Sequence, residues 1–267
     1  MRSALYVAAH RPEHLASAAR GDADAIVIEL EDGVPETAKD EARRAAAAFL
    51  AVPREIRTEV RVNGFGTGRL IDDLRAVAGT AVTAVRVPKV ESAEDAQVVA
   101  RILDELGSTA GVLPILESAR GLAAAGEITR AHGRVAGLLM GEEDLVADLG
   151  CGPAGLLAAR SAVVLAARAA GLPAPLQSVW TGLGDEEGLR ADCELGRELG
   201  FSGRSVIHPK QLAVVHDVYT PSAEELADAR ALLAQAGQGG AVRPDGRFVD
   251  DASVARARRL LDSAATR

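Results

Sequence analysis

Aromatic residues make up only 3 % of the 267 positions, and there are two cysteines, two methionines and one tryptophan. Cys151 and Cys193 are too few for a disulfide framework and lack the spacing of metal ligands, so a reducing, cytoplasmic setting is expected. Positive charge is also scarce. The 30 Lys and Arg face 38 Asp and Glu, a formal net charge of −8. That balance offers no basic face to nucleic acid or to an anionic membrane. No apolar run is long enough to cross a bilayer, and the first one is too short for a secretory signal. No serine, cysteine or histidine has a convincing setting for a nucleophile. His208, before Pro209, reads as a packed strand-end histidine.

What the chain does have is apolar bulk, 48 % of its residues, mostly Ala, Val and Leu. These fall into alternating strand-like and helix-like stretches. Strand-like runs occupy residues 4–8, 25–30, 58–63, 82–87, 111–116, 134–140, 176–181 and 205–208. Thr37 with Asp40, Ser92 with Asp95, and Ser222 with Glu225 have the spacing of helix-capping boxes. Val99, Ile102, Leu103 and Leu106 repeat at the three-four spacing of one helical face. A helix over 154–170 stops at Gly171, with Pro173 just beyond. Eight strand–helix units joined by short connections predict a single α/β TIM (β/α)₈ barrel with a C-terminal helical extension. A doubly wound open sheet is the alternative. The barrel is expected over residues 1–237. Residues 238–267 form a tail, begun where Gly237–Gly240 break the last barrel helix, that ends in a basic helix and packs locally or on another subunit.

The candidate chemistry lies where strands stop. Gly111-Val-Leu-Pro-Ile-Leu-Glu117 and Arg134-Val-Ala-Gly-Leu-Leu-Met-Gly-Glu-Glu-Asp144 are apolar runs that each end in carboxylates. Near-continuous apolar strands belong to a parallel sheet covered on both faces. In a parallel barrel, residues just past the strand C-termini face the active mouth. Glu117 and Asp144 then meet over one opening, and two hard oxygen donors suit Mg²⁺. The competing role for each is to cap the helix that follows. Arg61 falls near the same rim, where a guanidinium can grip a carboxylate or carbonyl in bidentate fashion. Glu31 and Asp32 add two acids there, expected to orient metal-bound waters or Arg61, with Lys89 as a counter-charge. Gly64-Phe-Gly-Thr-Gly68 lacks the third glycine and the ribose-binding acid of a dinucleotide site. It reads instead as a sharp turn that lets backbone approach a ligand.

Several segments then carry a resemblance in order along nearly the whole chain. They are Ile28-Glu-Leu-Glu-Asp-Gly-Val-Pro35, Val60-Arg-Val-Asn63, Val87-Pro-Lys-Val-Glu-Ser92, Glu117-Ser-Ala-Arg-Gly121, Gly141-Glu-Glu-Asp-Leu145 with Asp148-Leu-Gly150, Ile207-His-Pro209 and Asp245-Gly-Arg-Phe-Val-Asp250. Together they resemble the citrate lyase β-subunit-like proteins, a branch of the HpcH/HpaI aldolase and malyl-CoA lyase superfamily. The resemblance implies a Mg²⁺-dependent TIM barrel that makes or breaks a C–C bond beside a CoA or acyl-carrier thioester. It places the metal ligands on Glu117 and Asp144 and the substrate-gripping arginine on Arg61; Glu117 and Lys89 are expected to bind substrate beside it. It makes Arg61 and Asp250 catalytic, the latter a C-terminal acid that some relatives receive from a neighbouring subunit. It also implies a homo-oligomer, often a trimer.

The chain departs from that family's usual pattern at three places. Glu29 stands where the family usually has Asp, Glu142 where it has a small residue, and no proline follows Asp250, so Asp251 competes for its role. The expected reaction is retro-Claisen or Claisen chemistry on a β-hydroxyacyl thioester such as citryl-, malyl- or citramalyl-CoA. Two other readings are a pyruvate-type aldolase acting on free 2-keto acids and an acyl-carrier-dependent subunit of a larger complex.

Overall fold

The computed structural model describes residues 1–235, 241–242 and 248–265. Its strands are β1 (Ser3–Ala8), β2 (Ala25–Glu29), β3 (Arg57–Arg61), β4 (Ala84–Val87), β5 (Gly111–Leu116), β6 (Leu139–Met140), β7 (Leu176–Gln177) and β8 (Gly203–Val206). All pair in parallel in the order β6-β5-β4-β3-β2-β1-β8-β7. The first strand pairs with the last, and β6 lies beside β7. That curls the sheet into a barrel and excludes the open doubly wound alternative. Only the seam between β6 and β7 lacks ladder hydrogen bonds among the described residues.

Helices α1 (Pro12–Ala18), α2 (Lys39–Leu50), α3 (Leu70–Ala78) and α4 (Ala93–Glu105) follow the first four strands. After β5 come α5 (Ala119–Ala123) and α6 (Ala125–Ile128), and after β6 come α7 (Glu142–Leu149) and α8 (Leu156–Ala169). Then α9 (Glu186–Leu199) follows β7, and α10 (Leu212–Tyr219) and α11 (Ala223–Gln235) follow β8. A two-residue antiparallel hairpin, β9 (Ala241–Val242) with β10 (Phe248–Val249), precedes α12 (Asp251–Ala265), which packs on α11. Gly237–Gly240 and the proposed boundary after residue 237 lie outside the described residues.

Period-two alternation sorts each strand between two apolar layers. Ala4, Ala25, Val27, Ala84, Leu113, Ile115, Leu139 and Leu176 fill the barrel interior. Their strand neighbours, such as Leu5, Ile26, Ile28, Val60, Val85, Val112 and Leu116, meet the helices instead. Each fully buried side chain of this size contributes roughly 1.5–3 kcal/mol. By the same alternation Glu29, Glu59, Arg61, Arg86 and Glu117 point inward. That parity, more than any helix, positions the site.

Local expectations fared unevenly. The Ser92–Asp95 capping box forms, as does the exchange between Ser222 and Glu225. Thr37 caps nothing, because a 3₁₀ turn over Glu36–Ala38 carries the chain past it and α2 starts at Lys39. Leu106 is the C-cap of α4 and 37 % exposed, whereas Val99 and Leu103 are buried. The helix expected over 154–170 is α8, and Gly171 follows it at φ +72°, which suits a residue without Cβ. Strands six and seven are shorter than their apolar runs. In the sixth, Val135 makes a single bridge to Val112, and Gly137 lies so close to Leu113 that a Cβ there would sit 2.9 Å away. Beyond Gln177 the chain turns towards β8, where the Trp180 carbonyl accepts from Gln211 Nε2 at 2.8 Å.

Candidate active site

Strand register brings the first pair together. Glu29 is the cross-strand partner of Arg61, and both point inward at the C-terminal rim. Arg61 Nε donates to Glu29 Oε2 at 2.5 Å, and Arg61 Nη1 lies 3.1 Å from Glu31 Oε2. The guanidinium also lies 5.2 Å from the centre of the Tyr6 ring, a cation–π distance. Burial opposes the Arg61 charge, but Glu29, Tyr6 and Glu31 outweigh it and raise its pKa further. Arg61 is therefore a fixed cation. One layer deeper, Arg86 donates to Glu59 at 2.7 Å with both side chains fully buried, and its Nη1 reaches Tyr6 Oη at 3.0 Å. This pair anchors the interior beneath the rim.

Glu31 sits just past β2 and is 5 % exposed. Its carboxyl is raised first by burial, against the pull of Arg61 and Lys89. Its backbone is clamped from below, since Lys39 Nζ donates to the carbonyls of Leu30 and Glu31 at 2.8 and 2.6 Å and to Asn63 Oδ1 at 2.8 Å. Asp32, the next residue, is exposed at the rim and lines the cavity. Lys89 has a backbone φ of 55°, a left-handed conformation that costs a non-glycine residue energy. In that conformation its N–H donates to Glu117 Oε2 at 3.1 Å, while Nζ reaches Glu31 Oε1 at 3.2 Å. One residue thus holds both acids.

Glu117 follows β5 and is 6 % exposed. It caps no helix. Ser118 does that for α5, accepting the Gly121 N–H at 3.2 Å. The Glu117 carboxyl is pushed up to about 7, first by burial and then by Glu31 and Asp144, against Arg61 and Lys89. Gly141 lies against it, and a Cβ there would stand 2.5 Å from Glu117 Cγ and 2.6 Å from its Oε1. Asp144, in the first turn of α7, makes no side-chain cap either. It lines the same cavity of about 410 Å³ as Arg61, Glu117, Glu29 and Asp32.

Arg61, Lys89, Glu31, Glu117 and Asp144 therefore meet at one mouth, with Asp32 at its edge. Asp250 does not join them. Within one chain it is the exposed residue before α12, where its Oδ1 accepts the Ser253 N–H at 2.7 Å, and Asp251 beside it is also exposed. The loop Gly64–Gly68 is a turn ending at φ +71° and is not among the residues that line the cavity. His208 Nδ1 accepts the Lys210 N–H at 3.1 Å, a structural cap. Three residues with clear roles were missed by reasoning from sequence. Strand alternation alone could have found Glu29, two residues before Glu31 and inward-facing. Lys39 and Arg160, the partner of Glu142, give no local signal.

The site is short of positive charge. Its central carboxyl is pushed up to about 7 by burial first and by neighbouring carboxylates second, and a bound divalent cation would reverse that. Among the described residues no group of three or more His, Cys, Asp or Glu is arranged to hold a metal ion. The donor set is two carboxylates, Glu117 and Asp144. That fits an ion such as Mg²⁺, which keeps several waters and takes the rest of its shell from substrate.

Comparison with known proteins identifies the family. Residues 2–209 match the model of the HpcH/HpaI aldolase/citrate lyase family. Residues 169–252 match that of a C–C bond lyase of the TIM-barrel fold. A citrate lyase subunit beta-like protein of Deinococcus radiodurans is 40 % identical over 277 residues, covering 98 % of this chain and 96 % of its own. A (3S)-malyl-CoA thioesterase of Cereibacter sphaeroides is 37 % identical over 276 residues, covering 98 % and 94 %. The crystal structure of CitE from Mycobacterium tuberculosis in complex with magnesium, acetoacetate and coenzyme A superposes with a TM-score of 0.83 at 36 % identity, covering 99 % and 98 %. The chain belongs to the HpcH/HpaI aldolase/citrate lyase family.

Proposed function

We propose that the protein is a Mg²⁺-dependent carbon–carbon lyase acting on a β-hydroxyacyl thioester such as malyl-, citramalyl- or citryl-CoA. The observation that carries this reading is Glu117, a buried carboxyl pushed up to about 7 beside Asp144 and an arginine gripped by two glutamates. The magnesium and coenzyme A in the CitE structure support it. Cleavage of such a thioester leaves an acetyl-thioester enolate, whose oxygen needs a fixed positive partner. Arg61 suits that role because Glu29 and Glu31 hold its fork before substrate arrives, so no reorganisation is needed as charge develops. Lys89 keeps Glu117 and Glu31 in register and puts a half-exposed ammonium at the mouth for the substrate's anionic end. Glu117 and Asp144 would hold the Mg²⁺, which would supply Lewis-acid polarisation of the other fragment.

A proton must also move at the thioester α-carbon, and Asp250 is the proposed general acid/base, with Asp251 its nearest alternative. Asp250 is exposed and away from its own cavity, so in this reading it serves a neighbour's site in a homo-oligomer, a trimer.

The relatives named (3S)-malyl-CoA thioesterase favour one second reading, hydrolysis of the thioester itself. Incubation with malyl-, citramalyl- and citryl-CoA plus Mg²⁺, followed by mass spectrometry, separates the readings. Acetyl-CoA with a 2-oxo acid marks C–C cleavage, whereas free CoA with the intact hydroxy acid marks hydrolysis. Condensation of pyruvate with an aldehyde, without any thioester, would overturn both in favour of a free-acid aldolase.

A further inference from the structure

Among the described residues the barrel's one unladdered seam runs between β6 and β7, and α7, whose first turn carries Asp144, leaves from its edge. Side chains bridge what the backbone does not. The Glu142 N–H donates to Ser178 Oγ at 3.3 Å, from the end of β6 to the end of β7. The Glu142 carboxylate meets Arg160 of α8 through two bonds, at 3.0 Å from Nε and 2.6 Å from Nη2. Arg160 turns its other edge to Asp192 of α9, at 2.7 Å from Nη1 and 3.2 Å from Nη2. Asp192 is tied in turn to both strands beyond the seam. Gln177 Nε2 of β7 donates to its carbonyl at 2.9 Å, and Arg204 of β8 pairs with its carboxylate. Glu142, Arg160 and Asp192 are each at most 16 % exposed at the side chain, and Gln177 is 1 % exposed. The relay is largely screened from water, where bidentate charged pairs hold geometry best.

We infer that Glu142 is a positioning residue, whose ion pair with Arg160 straps the first turn of α7 across the seam and thereby sets the Asp144 carboxylate opposite Glu117. This rests on the proposed metal role of Asp144. Arg160 engages both Glu142 oxygens, one bond to each. Without the strap, the start of α7 keeps the Gly141 N–H bond to the Leu116 carbonyl, the Ser178 bond and the buried Leu145, with Asp148 accepting the Ala119 N–H further along the helix.

The test compares the unaltered protein with Glu142→Gln, Arg160→Lys and Asp144→Asn. Glu142→Gln is mild, because Arg160 keeps Asp192. Mg²⁺ binding is measured by calorimetry, amide exchange over residues 142–149 by mass spectrometry, and folding by thermal melting. Loss of a group that orients a metal ligand typically lowers affinity about 10–100-fold. Glu142→Gln and Arg160→Lys should show a loss of that order, with faster exchange in α7 and a melt still cooperative. Affinity within about twofold of the unaltered protein in Glu142→Gln, while Asp144→Asn loses binding, overturns the strap and leaves the metal reading standing. Full Mg²⁺ binding by Asp144→Asn overturns both.

Discussion

The Glu117 carboxyl links the fold to pH in a way that can be worked through. In the unfolded chain it titrates near its ordinary 4.5, and in the metal-free fold near 7. Between those values the native state holds a proton that the unfolded state has lost, so stability falls as pH rises. At about 1.4 kcal/mol per pH unit the full difference is about 3 kcal/mol. That contribution is intact below pH 4.5 and gone above pH 7. Glu117→Gln carries no charge at any pH, so it should resist urea better than the unaltered protein by about 3 kcal/mol at pH 8 and match it at pH 4.5. Urea titrations in a metal chelator at half-unit steps would measure the difference, in which titrating groups that do not couple to Glu117 cancel. Metal binding has the opposite sign, because the ligand must be deprotonated. Mg²⁺ affinity should fall about tenfold per pH unit below 7, with about one proton released per ion at pH 6. A stability difference that stays flat from pH 4.5 to 8 would refute the reasoning.

Three further outcomes follow from the same geometry. Arg61→Lys should lose about 10²–10³ in kcat, as expected for removal of an oxyanion donor, because a point charge cannot answer Glu29 and Glu31 while meeting substrate; a fully active lysine variant would make Arg61 structural. Gly141→Ala would put a methyl group 2.5 Å from Glu117 Cγ, so the carboxylate must swing away, and Mg²⁺ binding should weaken with the melting temperature nearly unchanged. Mixing inactive Arg61→Ala with inactive Asp250→Ala protein should restore activity once subunits exchange, since some sites then combine an intact arginine with a neighbour's intact acid. A mixture that stays dead despite exchanged oligomers shows that the acid does not act in trans.

Much of the site was legible in the sequence because strand ends are. An apolar run that stops at a carboxylate fixes both the strand and the rim, and that logic placed Glu31, Arg61, Lys89, Glu117 and Asp144 together. What escaped depends on contacts distant in sequence. Glu29 looks like one more acid until its register against Arg61 is known. Glu142 reads as surplus negative charge at the mouth, yet Arg160, 18 residues on, neutralises it. The lengths of β6 and β7 were overestimated because apolar periodicity reports burial and not ladder pairing: Val135, Gly137 and Leu138 are buried before the β6 ladder begins, and Ser178, Val179 and Trp180 are half-buried beyond β7. Thr37 shows the limit of a spacing rule, since one 3₁₀ turn moves the N-cap on to Ala38 and the helix start to Lys39.

The central claim is that Glu117 and Asp144 hold one divalent ion at the barrel mouth. Mn²⁺ shares the preference of Mg²⁺ for carboxylate and water oxygens and scatters anomalously, so a crystal grown with it locates the ion directly. The account requires one anomalous peak at ligand distance, about 2.1 Å, from both the Glu117 and Asp144 carboxylates, and its loss in Asp144→Asn. A peak held by Asp32 or Glu143 instead, or no peak in a protein that still cleaves its thioester, would contradict it.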